Sequence, residues 1–210
     1  MPSALAKDRV YAFVKERVLA GAYPGGELLS EGEVAEALKV SRTPVREAFL
    51  LLEAEGLMRL YPKRGALVVP VSPDEVRDVV ETRRLVERHC AEAVAADPPA
   101  GLIAGLRSLV REQEERAGAD DAAGFVDADR RFHQAIVEAA GNAIIARLYD
   151  SLRDRQRRMV SATIARDPQA IAAFIAEHQA IVGAIAGRRP DDAGELIAEH
   201  IRSAGARLQT

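Results

Sequence analysis

Apolar positions recur at helical spacing along most of the 210-residue chain, with one interruption near residues 57–71. Leu5, Val10, Phe13, Val14 and Val18 predict a helix over 4–20, broken by Gly21-Ala22-Tyr23-Pro24-Gly25-Gly26. Ser30-Glu31-Gly32-Glu33 reads as a capping box that starts a short helix to about Leu38. Ser41 is placed to cap the next helix, with Pro44 tolerated in its first turn. This helix runs to Glu55 and stops at Gly56. Then the period changes. Leu57–Tyr61 and Ala66–Val71 read as two strands joined by the hairpin tip Pro62-Lys63-Arg64-Gly65.

From Ser72-Pro73 onward the helical period returns. Six helices are expected, over about 73–96, 99–117, 120–140, 142–165, 168–187 and 190–208. Six helices with short connections predict an antiparallel bundle. The expected fold is therefore mainly α: a winged helix-turn-helix with a small β-hairpin over 1–71, then an all-α helical bundle over 72–210. A chain of this length comfortably forms two domains. With only 4% aromatic residues, the cores must be built from Leu, Ile, Val and Ala.

Charge adds little by itself, because the net value is -3. The first 71 residues carry 10 Lys+Arg against 9 Asp+Glu, and the remainder 19 against 23. A nucleic-acid reader with so little excess charge must concentrate its cations on one face. The helix over 41–55 does so. Val45, Ala48, Phe49 and Leu52 line one side, while Arg42, Thr43 and Arg46 share another in its first turns. Those turns are where a recognition helix meets base edges in the major groove of double-stranded DNA. An arginine fork can bond guanine O6 and N7 together. Lys63, Arg64 and Gly65 at the hairpin tip are placed for phosphates or the minor groove.

The second half carries a different chemistry. Asp129 and His133 are four residues apart, hence on one helical face. His178 falls within the apolar stripe Ile171, Phe174, Ile175, Ile181, Ile185, and His200 within Leu196, Ile197, Ile201, Ala204, Leu208. Three helices thus aim imidazole or carboxylate inward. A lone buried histidine is more often a hydrogen-bonded core residue than a ligand, but three with an aspartate favour a metal. The donor set suits zinc or nickel best and also accepts manganese or iron. Positions left open by four protein ligands can take water or a small carboxylate effector. Arg83 is a candidate partner for such an anion, with a salt bridge to a neighbouring acid as the alternative. His89 and Cys90 read as structural, Gly141-Asn142 as a helix stop, and the runs Arg153–Arg158 and Arg111–Arg116 as solvated faces.

The motifs also resemble known families. Leu29-Ser30-Glu31, Val34-Ala35, Ser41-Arg42-Thr43-Pro44-Val45-Arg46-Glu47-Ala48, Gly56-Leu57 and Lys63-Arg64-Gly65-Ala66 resemble the DNA-binding domain of the GntR family. That resemblance implies DNA contacts from Arg42, Arg46 and Gly65. Two positions depart from the pattern. Gly32 stands where relatives often carry a basic residue, which removes one phosphate contact. Lys39 stands where the turn usually has glycine, which predicts a left-handed backbone there. Asp129-Arg130-Arg131-Phe132-His133, Gly141-Asn142, Glu177-His178 and His200 are similar to the FCD effector domain of the FadR branch. This similarity implies metal ligation by Asp129, His133, His178 and His200. The expected helix count points to the six-helix VanR-type subgroup.

The resulting expectation is a ligand-responsive, cytoplasmic repressor that binds a palindromic operator as a homodimer and senses a small carboxylate at a metal. The alternatives are a purely structural metal and, less favoured, a metal-dependent hydrolase. One cysteine excludes an intramolecular disulfide. The start Met1-Pro2-Ser3-Ala4 lacks a signal-peptide core, and no apolar run reaches the roughly 20 residues of a membrane span.

Overall fold

The computed structural model describes residues 3–62 and 64–209. It divides into two compact units, Met1–Val71 and Ser72–Thr210. The first contains α1 (Ser3–Leu19), β1 (Leu28–Leu29), α2 (Glu31–Leu38), α3 (Arg42–Ala54), β2 (Met58–Tyr61) and β3 (Gly65–Val68). The Ser30 hydroxyl accepts from Gly32 and Glu33 N–H, and the Glu33 carboxylate accepts from Ser30 N–H, completing the capping box. Lys39 closes α2 in the left-handed conformation, φ 53°, as its place in the turn predicts. Its N–H reaches the Ala35 and Glu36 carbonyls, which offsets part of that strain. Ser41 occupies the N-cap of α3 but makes no side-chain capping bond, contrary to expectation. Pro44 stands at the third helical position, where the usual capped N–H would be, and has none to give.

Val45, Ala48, Phe49 and Leu52 of α3 are fully buried against Val10 and Val14 of α1 and Met58, Ala66 and Val68 of the strands. Leu5, expected on the inward face of α1, is exposed. The sheet is antiparallel in the order β1-β3-β2, with Leu29 opposite Ala66 and Tyr61 opposite Gly65. β1 was not expected from the sequence, because two residues carry no period. β3 ends at Val68 rather than Val71. Gly65 is required where it stands: its φ is +117°, and a Cβ there would lie 2.2 Å from the Leu29 carbonyl oxygen.

The second unit contains α4 (Pro73–Ala96), α5 (Leu102–Gly118), α6 (Ala122–Ala139), α7 (Ala143–Asp150), α8 (Arg153–Arg166), α9 (Ala170–Ala186) and α10 (Pro190–Gln209). The described residues thus form seven helices here, not six. The expected helix over 142–165 is two, α7 and α8. At the junction Ser151 and Leu152 N–H bond to carbonyls three residues back, Leu148 and Tyr149, so the chain tightens and leaves the α path. No Gly or Pro marks this break, and the count that pointed to the six-helix subgroup does not hold. Gly141-Asn142 ends α6, and Asn142 also starts α7 by accepting from Ile144 and Ile145 N–H.

Two apolar clusters fill the unit. One gathers Cys90, Leu106, Phe132, Ile136, Ile181, Ile185, Ile197 and their neighbours, and the other Phe125, Val126, Val160, Ile164, Ala170 and Phe174. Along α6, Asp129 falls between Val126 of one cluster and Phe132 of the other. Along α9, His178 falls between Phe174 and Ile181 in the same way. The polar site is therefore a layer held between two dry cores.

Candidate functional site

On the first unit, Arg42, Thr43 and Arg46 emerge together from the exposed face of α3, and Arg64 is exposed at the hairpin tip. Lys63 lies outside the described residues. An open groove lined by Ser30, Arg42, Arg46, Tyr61, Arg64 and Gly65 joins helix and hairpin. Gly32 leaves room beside Arg42, since a Cβ there would sit 3.5 Å from its Nη2. Arg46 is held by a forked ion pair to Glu31, at 2.8 and 3.1 Å. That bond, followed by the Glu31 charge, raises its already high pKa. The pair is exposed, and such pairs contribute only about 0–1 kcal/mol. A stronger anion can displace Glu31.

In the second unit Asp129 and His133 from α6, His178 from α9 and His200 from α10 converge. Each offers a ligand atom, and all four atoms lie within 4.8 Å of one another. All four residues are buried. His178 Nε2 stands 3.2 Å from His200 Nε2 and 3.7 Å from Asp129 Oδ1, while His133 Nε2 lies 3.9 Å from that oxygen. Phe132 stacks on His178, and Phe174 meets His200 edge-on.

The outer nitrogen of each ring is engaged. His133 Nδ1 bonds Glu87 Oε2 at 2.6 Å, His178 Nδ1 bonds Gln113 Oε1 at 2.7 Å, and His200 Nδ1 bonds Glu177 Oε2 at 2.5 Å. Each partner is an oxygen acceptor, so each Nδ1 carries the hydrogen and each Nε2 faces inward as a lone pair. Burial, then the neighbouring imidazoles, holds His178 well below the usual histidine pKa. Burial also lowers His200, against the opposing pull of Glu177. Both rings are neutral near pH 7, which ligation requires.

These residues fit a divalent metal. Asp129 Oδ2 and His133 Nε2 are buried without a hydrogen-bond partner among the described residues. Such orphans are costly, about 1–3 kcal/mol each, unless something unseen satisfies them. Metal–ligand bonds of about 2.0–2.2 Å set neighbouring ligand atoms roughly 3–4 Å apart, which is the spacing of the three closest pairs here.

Arg83 is buried near this layer, and the alternative reading describes its main bond: its Nε donates to Glu87 Oε1 at 2.6 Å. Its Nη2 has no partner among the described residues. Tyr149 OH donates to the same Glu87 oxygen at 2.6 Å. Burial would raise the Glu87 carboxyl, but Arg83 and His133 outweigh it and hold it below the usual range. The sequence reading missed Glu87, Gln113, Glu177 and Tyr149 as parts of the site. Glu87 had a signal, standing one turn from Arg83. Gln113 had another, continuing the stripe Leu106, Val110.

His89 is exposed, and Cys90 is buried, which pushes its thiol up to about 11. Arg158 corrects the solvated-face reading: it is buried and reaches Glu75 of α4 at 3.3 Å. No helix among the described residues is long and apolar enough to cross a membrane.

Comparison with known proteins assigns each stretch of the chain to a family. Residues 6–68 match the family model of bacterial regulatory proteins of the gntR family, and residues 78–203 match the FCD domain. An uncharacterized HTH-type transcriptional regulator of Streptomyces ambofaciens is 31% identical over 84% of this chain and 73% of its own length. The galactonate operon transcriptional repressor of Escherichia coli is 27% identical, with 96% of each chain covered. A putative GntR transcriptional regulator from Rhodococcus sp. RHA1 superposes with a TM-score of 0.77 at 26% identity, covering 97% of each chain. The chain belongs to the GntR family of DNA-binding transcriptional regulators, in the group whose second domain is FCD, and it is not an enzyme.

Proposed function

We propose that this regulator is a repressor that binds a palindromic operator as a homodimer and releases or tightens it in response to a small carboxylate held at a metal. Arg42, Thr43 and Arg46 read base edges; Arg64, Gly65 and Lys63 serve the wing. Asp129, His133, His178 and His200 hold a divalent ion, with zinc or nickel favoured by the three imidazoles and manganese or iron accepted. When bound, the ion supplies a Lewis-acidic seat for a carboxylate oxygen. Arg83 offers Nη2 to the same anion. The observation that carries this reading is the inward convergence of three Nε2 atoms on the Asp129 carboxylate, whose Oδ1 lies 3.7 and 3.9 Å from two of them and whose Oδ2 is buried without a partner among the described residues. The repressor sign draws support from relatives such as the galactonate operon repressor.

The test is operator affinity of metal-loaded protein against a panel of small carboxylates. A coupling of about 1–3 kcal/mol, several-fold to a hundredfold, is expected for the correct one. Arg42→Ala should lose specific operator binding, and a normal footprint would remove α3 from the interface. The burial of the whole layer favours a second reading, in which the metal only staples three helices. In that case operator affinity depends on metal and ignores every carboxylate tested.

A further inference from the structure

We propose that Glu87 is the positioning residue of this centre. Its carboxylate fixes His133 in the tautomer that presents Nε2 inward, and its other oxygen holds Arg83 and Tyr149 in place. The inference rests on the metal reading above, yet concerns an atom that can be observed without metal.

Three outer partners hold the three imidazoles, and they are not equivalent. Gln113 is fully buried but neutral, and Glu177 is charged but its side chain is 32% exposed. Glu87 is both charged and fully buried. A buried carboxylate of this kind persists only when it is paired and its oxygens are bonded. Here Arg83 Nε and Tyr149 OH donate to Oε1, and the His133 ring meets Oε2, all at 2.6 Å. One group on α4 thereby sets a ring on α6, a tyrosine on α7 and an arginine one turn away. Since a carboxylate only accepts, His133 Nδ1 must carry a hydrogen.

The substitution Glu87→Gln separates this role from simple packing, because it keeps the shape and changes the donor pattern. The amide oxygen faces Arg83 and Tyr149, both donors, which turns the amide NH2 toward His133 Nδ1. The ring must then accept at Nδ1 and carry its hydrogen on Nε2, where a metal would bind. The expected result in metal-free full-length protein is a change of the His133 tautomer. Nitrogen–proton correlation spectra of the imidazoles read it, with the resonance assigned through His133→Asn. Zinc affinity, measured by competition with a chelator, should fall about 10–100-fold while a cooperative melt is retained. A wild-type His133 protonated at Nε2, or zinc affinity of Glu87→Gln within twofold of wild type, overturns the proposal. If Glu87→Gln fails to fold, the wild-type tautomer alone decides. If wild type binds neither zinc nor nickel, the metal reading falls and the tautomer result still stands by itself.

Discussion

The two sites of this chain solve opposite electrostatic problems. On α3 the candidate DNA-contacting side chains are exposed, and Arg46 is held to Glu31 in water by an exchangeable bond. Around Glu87 the histidines, Asp129, Arg83 and Gln113 are buried, with only Glu177 of the outer partners part-exposed, and bonds between helices fix the rings. Water screens the first site and forgives a lost partner. The second stands in a low-dielectric layer where an unpaired group is expensive. In fold stability, single substitutions of these charged groups should therefore act unequally: large, coupled losses in the buried layer and small, separable ones on the surface.

The largest effect should come from replacing His178 and His200 together with alanine. Two of the four proposed ligands vanish, and elemental analysis should fall from one bound divalent ion per chain to none. Unchanged stoichiometry would place the metal elsewhere. Acid should attack the same layer. The folded-state pKa values of His178 and His200 lie below the ordinary 6.5, so the unfolded chain takes up protons first as the pH falls. Stability of the metal-free protein is thus fully present above about pH 7.5 and is lost as the pH drops through 6.5 and below. Melting curves between pH 8 and 5 test the sign; a midpoint that rises on acidification contradicts it.

Gly65→Ala should rank next, because the surface unit also contains one unforgiving position. A methyl group would meet the Leu29 carbonyl oxygen, at a φ that side chains rarely adopt. A destabilisation of about 1–3 kcal/mol is expected from denaturant unfolding. Operator affinity alone would mislead here. If stability is unchanged and only DNA binding falls, the glycine serves the DNA and not the β1 approach.

The same contrast explains what was legible in the sequence. The inward face of α3, the Ser30–Glu33 box and the inward stripes that carry Asp129, His133, His178 and His200 follow from local spacing, where 3.6 residues per turn decides which side chains share a face, whereas the left-handed Lys39 follows from the resemblance to a family that usually has glycine there. The partners that make the buried layer work are not local: Glu87 is 46 residues from His133, and Gln113 is 65 from His178. Spacing within one helix cannot pair them. β1 is too short to show a period, and the α7–α8 break carries no Gly or Pro. Arg158 was misread because its partner, Glu75, lies on α4, far along the chain. Sequence located the four converging side chains and missed the groups that bond them.

The smallest expected effect is the sharpest test of the surface half of the comparison. Glu31→Gln removes the carboxylate that holds Arg46 at 2.8 and 3.1 Å. If the pair is only an exchangeable bond in water, its loss should change fold stability by less than about 1 kcal/mol. It also removes a negative charge from beside incoming phosphates, so operator affinity should rise a few-fold. That gain should shrink with added salt, since exposed charges are screened over roughly 8–10 Å at physiological ionic strength. A fall in affinity would mean something different. Glu31 would then be orienting the Arg46 fork for its base edge, and the exposed site would share the logic of the buried one, in which a carboxylate holds the working group in position.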